Sequence, residues 1–486
     1  MVRLSTLALL ACSAAALNPM VRHFNILEFI EGAQTEATTA IPEEWFENQK
    51  LDHNDKANNQ VWKQRFFTND EFYGGAGYPV FLYINGENVA TAGTVTSTNL
   101  FMNVLAKKHK ALIVSLEHRY YGKSQPVADY SVENLKYLTA EQALNDMITF
   151  QDHLTDKHKL VNAKWVAFGG SYPGMLAAWA KLKHGDRFVG SVASSGPILA
   201  KADYHEYGDV VAFGLKYFGK DQCADTVKTA LKDFHNLVAS SKTEDVTKLK
   251  QLFNPCDPLK DDYNRATIEG SVFGSFQGLA QYNDNSAQNL TWGCQIFNAN
   301  DGKSPLEKLA AYNKYTYPDC TDSDYQKSWI APYQNINITT TGINRQWIYQ
   351  TCAEFGFGQT TKSAKSLFSV LEYADVDKVY YDLCKQAFGI TKEQADANIV
   401  ATNKKYGALN IDVPNVVFPN GNIDPWSALS LVNGSTLVNP KSEIVYIDGT
   451  SHCRDMRAPK STDNESLTWG RQRIENAVDR FLRDQC

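Results

Sequence analysis

Ser171 stands in the stretch Val166-Ala167-Phe168-Gly169-Gly170-Ser171-Tyr172-Pro173-Gly174-Met175-Leu176, an apolar run that passes through a glycine pair into a second apolar run. A serine on a sharp strand-to-helix turn is pushed out above a sheet. There its oxygen can attack a carbonyl carbon, and the next backbone N–H can bind the oxyanion that forms. The G-x-S-x-G spelling is not met, because Pro173 occupies the place before the late glycine, Gly174. Proline is compatible with the first turn of a helix, where its missing N–H would be unbonded anyway. The N–H of Tyr172 is then the first candidate oxyanion donor. An ordinary strand-turn-helix corner would use the same residues, so the chemistry depends on partners elsewhere in the chain.

Two partners come late. The run Val413 to Phe418 leads into Pro419-Asn420-Gly421-Asn422-Ile423-Asp424-Pro425-Trp426, which puts Asp424 on a loop after a strand. Glu443-Ile444-Val445-Tyr446-Ile447 leads into Asp448-Gly449-Thr450-Ser451-His452, with His452 on the loop after the last strand. The order Ser171, Asp424, His452 is that of an α/β-hydrolase triad. In such a triad the histidine takes the serine proton during attack and returns it to the leaving group, while the aspartate fixes the imidazole tautomer. Gly86, after the run Tyr78 to Ile84, stands where a second oxyanion donor is expected; a plain turn glycine is the other reading. His53, His118 and Arg119 read as groups that brace loops through hydrogen bonds.

These residues need a sheet to hold them. Tyr78 to Ile84, Ala111 to Leu116, Lys164 to Phe168 and Phe188 to Ser194 are short, continuous apolar runs, the mark of parallel strands buried on both faces. Thr139 and Gln142 make a capping box before a helix with Ala143, Leu144, Met147, Ile148 and Leu154 on one side. Polar residues interleaved with aromatics from Trp45 to His53 and from Trp62 to Phe67 suit opening strands. The alternation predicts a doubly wound α/β sheet of the α/β-hydrolase type, closed by a helix carrying Ile474, Ala477, Val478, Phe481 and Leu482. Between them the pattern turns helical and aromatic and holds Cys223, Cys256, Cys294, Cys320, Cys352 and Cys384. The expected organisation is a signal peptide at 1–17, hydrolase segments at 18–195 and 407–486, and a mainly helical, disulfide-bearing cap insert at 196–406. Within it, Arg345 to Gly356 is aromatic enough to face a cleft; Trp347 and Tyr349 read better as the core of the insert than Glu354 does.

The chain has 486 residues and a formal net charge of −6 with no basic run, which argues against nucleic acid as a partner. Met1 to Leu17 carry one early cation, an apolar run and small residues, the pattern of a cleaved secretory signal, and no other apolar run is long enough for a membrane span. Of the 9 cysteines one, Cys12, lies in that signal; the remaining even number points to disulfides, up to four of them. No cysteine pair has metal-ligand spacing, so neither metal nor cofactor is expected. Sequons at Asn289, Asn337, Asn433 and Asn464 fit a glycoprotein of the secretory pathway.

Leu51-Asp52-His53, Glu117-His118-Arg119-Tyr120-Tyr121-Gly122, Gly169-Gly170-Ser171-Tyr172, Cys352-Ala353-Glu354-Phe355-Gly356, Asn420 to Trp426 and Ser451-His452 together resemble the serine peptidases that include lysosomal Pro-X carboxypeptidase, dipeptidyl peptidase II and thymus-specific serine protease. The resemblance spans nearly the whole mature chain. It implies an α/β-hydrolase domain with a helical insert, exopeptidase cleavage after proline, and a lysosomal, vacuolar or secreted setting. It also implies triad roles for Ser171, Asp424 and His452, and a proline pocket lined by Met175 and Trp426. Gly449 to Met456 and Pro173 are similar to the thymus-specific branch, which leaves proline preference more open than peptidase activity. Cys453 with Cys486 is one conceivable pairing, although connectivity is not readable from sequence.

The resulting expectation is a serine-type exopeptidase acting on peptides, with a secreted esterase or lipase-like hydrolase as the alternative. A non-catalytic binding protein on the same fold would usually lack a triad member, and all three are present. A carboxypeptidase needs a cation for the substrate carboxylate, whereas a dipeptidyl peptidase needs an acid such as Glu354 for the amine. Homodimerisation is left open.

Overall fold

The computed structural model describes residues 41–284, 287–339 and 344–483, so the expected signal peptide and Cys486 lie outside the described residues. The strands in chain order are β1 (Glu44–Lys50), β2 (Val61–Asn69), β3 (Val80–Ile84), β4 (Leu112–Leu116), β5 (Trp165–Gly170), β6 (Gly190–Ser194), β7 (Lys201–Asp203), β8 (Gly356–Gly358), β9 (Val416–Gly421) and β10 (Glu443–Ile447). Eight of them form one sheet in the order β1-β2-β4-β3-β5-β6-β9-β10, and β7 pairs with β8 separately. The opening pair β1 and β2 runs antiparallel, as does β2 with β4, whereas β4, β3, β5, β6, β9 and β10 are mutually parallel. This is the α/β-hydrolase sheet, with an antiparallel pair at one edge where aromatic and polar residues alternate.

Because the inner strands are parallel, the loops after β3, β5, β6, β9 and β10 all open on one edge of the sheet, which is where such sheets carry their sites. Every residue of β3 to β6 is buried. Successive side chains serve opposite faces: Val80, Leu82 and Ile84 belong to one core cluster, Phe81 and Tyr83 to the other. The second cluster is roofed by α1 (Phe101–His109) and by the closing helix, whose Ile474, Val478 and Phe481 pack there. On the first face lie α2 (Ala140–His158), α3 (Tyr172–Lys183) and the insertion, including α4 (Glu206–Ala239) and α5 (Asp262–Gln281). Helix α3 is covered almost all round, with Tyr172 to Lys181 buried, which explains its lack of a polar stripe.

Disulfides Cys223–Cys294, Cys256–Cys320 and Cys352–Cys384 bind the insertion, all between β7 and β9. A fourth is not formed by Cys453, which is a buried free thiol. The helix Lys392–Tyr406 returns the chain to the sheet, and Tyr406 stacks on Trp179 of α3 at 3.9 Å between ring centroids. Only half of the expected capping box forms. Thr139 accepts from the N–H of Gln142, but the Gln142 side chain turns away to Asp52 and to the N–H of His53, tying α2 to the loop after β1. No described helix is long and apolar enough to cross a membrane.

Candidate active site

Strand β5 ends at Gly170, and Ser171 follows with φ 65° and ψ −132°, a region in which a non-glycine residue is strained. The strain is held from both sides. The N–H of Ser171 donates to the carbonyl of Ser194 at the end of β6 (2.9 Å), and its own carbonyl accepts from Gly174 and Met175 (2.8 and 3.1 Å). Gly170 has no room for a side chain, since a Cβ there would lie 2.2 Å from Met456 Sδ and 2.9 Å from Cys453 Sγ. The loop carrying His452 therefore rests on the residue before Ser171. Cys453 adds a second tie by donating its N–H to Ser195 Oγ (2.9 Å).

Tyr172 is the first residue of α3, and Pro173 follows in the first turn. An N–H at that place has no acceptor within the helix and is open to a ligand. The Tyr172 ring is fixed by its hydroxyl, which meets His118 Nε2 and accepts from Gln350 Nε2, both at 2.9 Å. Gly86 reaches the same place from β3: a Cβ on it would stand 2.5 Å from Pro173 Cγ and 3.5 Å from Tyr172 Cδ1. The two candidate oxyanion donors are thus brought together, and glycine is required at 86 by close approach, not by a turn.

Beyond β9, Asp424 caps the short helix Pro425–Leu429 by accepting the N–H of Trp426 (3.0 Å), and the same oxygen, Oδ1, meets His452 Nδ1 at 2.9 Å. Both side chains are buried. That contact leaves Nε2 as the nitrogen directed to other partners. Trp426 packs 6.4 Å from the His452 ring and within 5.7 Å of Tyr204, Tyr207 and Phe357, a buried aromatic cluster whose tryptophan stands beside the histidine. Met175 lies fully buried one turn along α3 from Ser171, within the main core.

Glu354 is placed differently from the expectation. Its carboxylate accepts the N–H of Ala140 at 2.9 Å, closing the start of α2, and it lines a depression of about 450 Å³ with Asp52, Lys136, Thr402 and Lys405 that no triad residue borders. A helix start leaves unbonded N–H groups, and Glu354 is used on one of them. Burial pushes its carboxyl up to about 8. Glu354 is therefore not assigned to a substrate amine. Its aromatic neighbours Trp347 and Tyr349 are buried in the core.

The bracing groups lie behind the site. His53 Nε2 meets Asp146 Oδ1 at 2.7 Å, and Arg119 donates to both oxygens of Asp146. His118 holds the Tyr172 hydroxyl, and burial lowers its imidazole to about 4, which keeps it neutral. Two carboxyls that sequence reasoning missed sit close by. Glu87, next to Gly86, is pushed by burial up to about 7, and Asp455, bonded by Ser194 Oγ at 2.6 Å, up to about 6. Neither carries a motif; only their places three and one residues from His452 and Gly86 could have drawn notice. Of the sequons, Asn337, Asn433 and Asn464 are exposed and Asn289 is half-buried as the cap of Leu290–Asn298. Among the described residues no cluster of His, Cys, Asp and Glu is arranged to hold a metal ion.

A parallel sheet whose loops gather a strained serine, a histidine bonded to an aspartate and two converging amide-bearing turns defines an α/β-hydrolase with a helical insertion. Comparison with known proteins narrows the class. A family model described as serine carboxypeptidase S28 matches residues 49–474, and the chain belongs to that family of serine-type peptidases. It is 35% identical over 453 residues to "Putative serine protease K12H4.7" of Caenorhabditis elegans, covering 89% of this chain and 87% of that one. Identity to thymus-specific serine protease of Mus musculus is 30% over 465 residues, with 92% and 88% covered. Lysosomal Pro-X carboxypeptidase of Mus musculus is 27% identical over 444 residues, with 87% and 86% covered.

Proposed function

We propose that Ser171, His452 and Asp424 are the triad of a serine exopeptidase that cleaves next to proline. The observation that carries the reading is the buried His452–Asp424 bond of 2.9 Å on loops that pack against the Ser171 turn. In the reaction the Ser171 Oγ forms a bond to the scissile carbonyl carbon while its proton passes to His452 Nε2. The carbonyl oxygen becomes an oxyanion in reach of the N–H groups of Tyr172 and Gly86. The C–N bond then breaks, His452 gives its proton to the leaving amine, and an acyl ester remains on Ser171. Water attacks that ester with His452 again taking the proton, and the acid leaves. Asp424 carries no proton through the cycle; it holds Nδ1 and stabilises the charged ring.

Proline presents a flat, apolar ring, and Trp426, whose ring stands beside His452 with Tyr204, Tyr207 and Phe357 packed behind it, supplies an aromatic wall of matching chemistry. Met175, one turn along α3 from Ser171 and buried in the main core, is proposed with Trp426 as a residue of this pocket. Disulfides, three exposed sequons and the lysosomal relative support a glycoprotein that works in the lysosome, the vacuole or outside the cell.

The test is one synthetic peptide with proline at its second and its penultimate positions, incubated with wild type and with Ser171→Ala and read by mass spectrometry. Loss of an amino-terminal dipeptide assigns a dipeptidyl peptidase, and loss of the carboxyl-terminal residue assigns a Pro-X carboxypeptidase. Cleavage away from proline only, or cleavage that survives in Ser171→Ala, refutes the proposal.

A further inference from the structure

The insertion touches the triad loops at several places, Tyr204 at the Pro425 carbonyl and Tyr217 at Asp448 Oδ2 among them, and the end of α5 is bonded to both loops. Helix α5 ends at Gln281, and its last turn meets both the acid loop and the base loop. Gln281 Oε1 accepts from Trp426 Nε1 at 3.1 Å and from the Tyr207 hydroxyl at 2.7 Å. Trp426 in turn gives its N–H to Asp424 Oδ1. On the other side Ser451, the residue before His452, is bonded three times to the same turn. Its hydroxyl donates to the carbonyls of Ala280 and Gln281 (2.5 and 3.0 Å), and its N–H donates to Asp284 Oδ2 at 2.6 Å. Asn283 Nδ2 holds the other oxygen of Asp284 at 3.0 Å. Gln281, Ser451 and Trp426 are all buried. The acid loop comes from β9 and the base loop from β10, and they are joined by the Asp424–His452 bond, by the Ile423 N–H on the Thr450 carbonyl (3.0 Å) and by the Gly449 N–H on Asn422 Oδ1 (2.8 Å); the turn at the end of α5 braces both from the side of the insertion.

Resting on the triad reading above, we propose that Gln281, Asp284 and Ser451 are positioning residues: the last turn of the cap helix fixes the acid and base loops at the separation that lets His452 serve Ser171. None of the three touches the reacting atoms. The side-chain types suit the task. A glutamine oxygen accepts two donors at once, and a carboxylate accepts a backbone N–H more strongly than a neutral oxygen would. Burial pushes the Asp284 carboxyl up, and its negative charge is faced by Arg454 and Arg457 from the base loop. The inference makes the insertion part of the catalytic apparatus as well as a cover over it, because a displacement of α5 moves His452 directly.

The experiment measures inactivation of the full chain by a fluorophosphonate across a concentration series, which separates the limiting rate kinact from the reversible constant KI. In this reaction the Ser171 oxygen bonds to phosphorus, fluoride leaves and His452 takes the proton, so kinact reports the placing of the histidine. Ser451→Ala and Asp284→Ala are expected to lower kinact by about 10- to 100-fold, the cost of misplacing a reacting group by a fraction of an ångström to an ångström. KI should stay within about twofold, because the groups removed do not meet the probe. Asp284→Asn keeps the shape and the acceptor oxygen and is expected to recover kinact to within about threefold of wild type, whereas Asp284→Leu, which fills similar space without an acceptor, is expected to stay as low as Asp284→Ala; recovery in Asp284→Leu would make the role one of packing and overturn the proposal. Folded Ser451→Ala and Asp284→Ala at wild-type kinact overturn the proposal; Ser451→Ala decides alone if Asp284→Ala does not fold. A wild type that forms no adduct on Ser171 fails the triad reading itself, a result distinct from unchanged variants of a labelled enzyme.

Discussion

Gly86→Ala is the most searching single substitution in this chain. The added Cβ would lie 2.5 and 2.6 Å from Cγ and Cδ of Pro173. Carbon atoms settle at about 3.5–4.0 Å from one another, so the loop after β3 and the start of α3 must separate by about 1 Å. Pro173 is rigid, and its neighbour Tyr172 is clamped by His118 and Gln350, so the loop is the side that yields. Its movement withdraws one of the two proposed oxyanion donors. Removing such a donor costs about 10²–10³-fold in kcat, about 2.7–4 kcal/mol. The expected result is a loss of that size in the rate of fluorophosphonate labelling and of peptide turnover, with KM within about threefold. Circular dichroism and thermal unfolding report whether the fold survives. A folded Gly86→Ala enzyme with turnover within about threefold of wild type would refute both the close-approach argument and the donor assignment.

Other perturbations test separate parts of the account. Trp426→Ala should reduce kcat/KM for a proline peptide about tenfold more than for the matching alanine peptide, and equal losses on the two would remove Trp426 from the proline wall. Asp455 sets a stability slope of known sign. Burial raises its carboxyl from 3.8 to about 6 in the folded chain, so the native state binds the proton more tightly and the contribution is fully present below pH 3.8 and is lost as pH rises through about 6. Wild type should therefore be stabilised relative to Asp455→Asn by about 2 kcal/mol more at pH 4 than at pH 7 in urea unfolding, and a difference independent of pH would contradict the assignment. Joint replacement of Cys352 and Cys384 by serine opens a bridge between residues 32 apart and should lower stability by about 3–4 kcal/mol in the chain-entropy view, measured by denaturant unfolding; no change would place the insertion's stability elsewhere.

The sheet was legible because its strands are buried on both faces and spell continuous apolar runs, and because the loops that follow carry glycine with one chemical residue each. The turn at Ser171 was legible for the same reason, although proline at 173 broke the usual spelling. The cysteines of the insertion were legible as a set but not as pairs, and Cys453, packed over Gly170, is a buried free thiol. Glu354 reads in the sequence as a cleft residue because it is an acid in an aromatic stretch, whereas in the structure its carboxylate accepts the N–H of Ala140. That competition is invisible locally, since helix start and acid are 214 residues apart. The contacts of Gln281 and Asp284 with Ser451 and Trp426 left no trace for a comparable reason: an amide and a carboxylate at a helix end have no periodicity, and their partners lie 145 and 167 residues away.

The most direct measurement of the triad is site mapping of a fluorophosphonate adduct on the intact protein by proteolysis and mass spectrometry, for wild type, His452→Ala and Asp424→Asn. One adduct, on Ser171, that forms readily in wild type and is suppressed in both variants is the result this account requires. An adduct on another residue, or equal labelling of Ser171 with His452 removed, would contradict it.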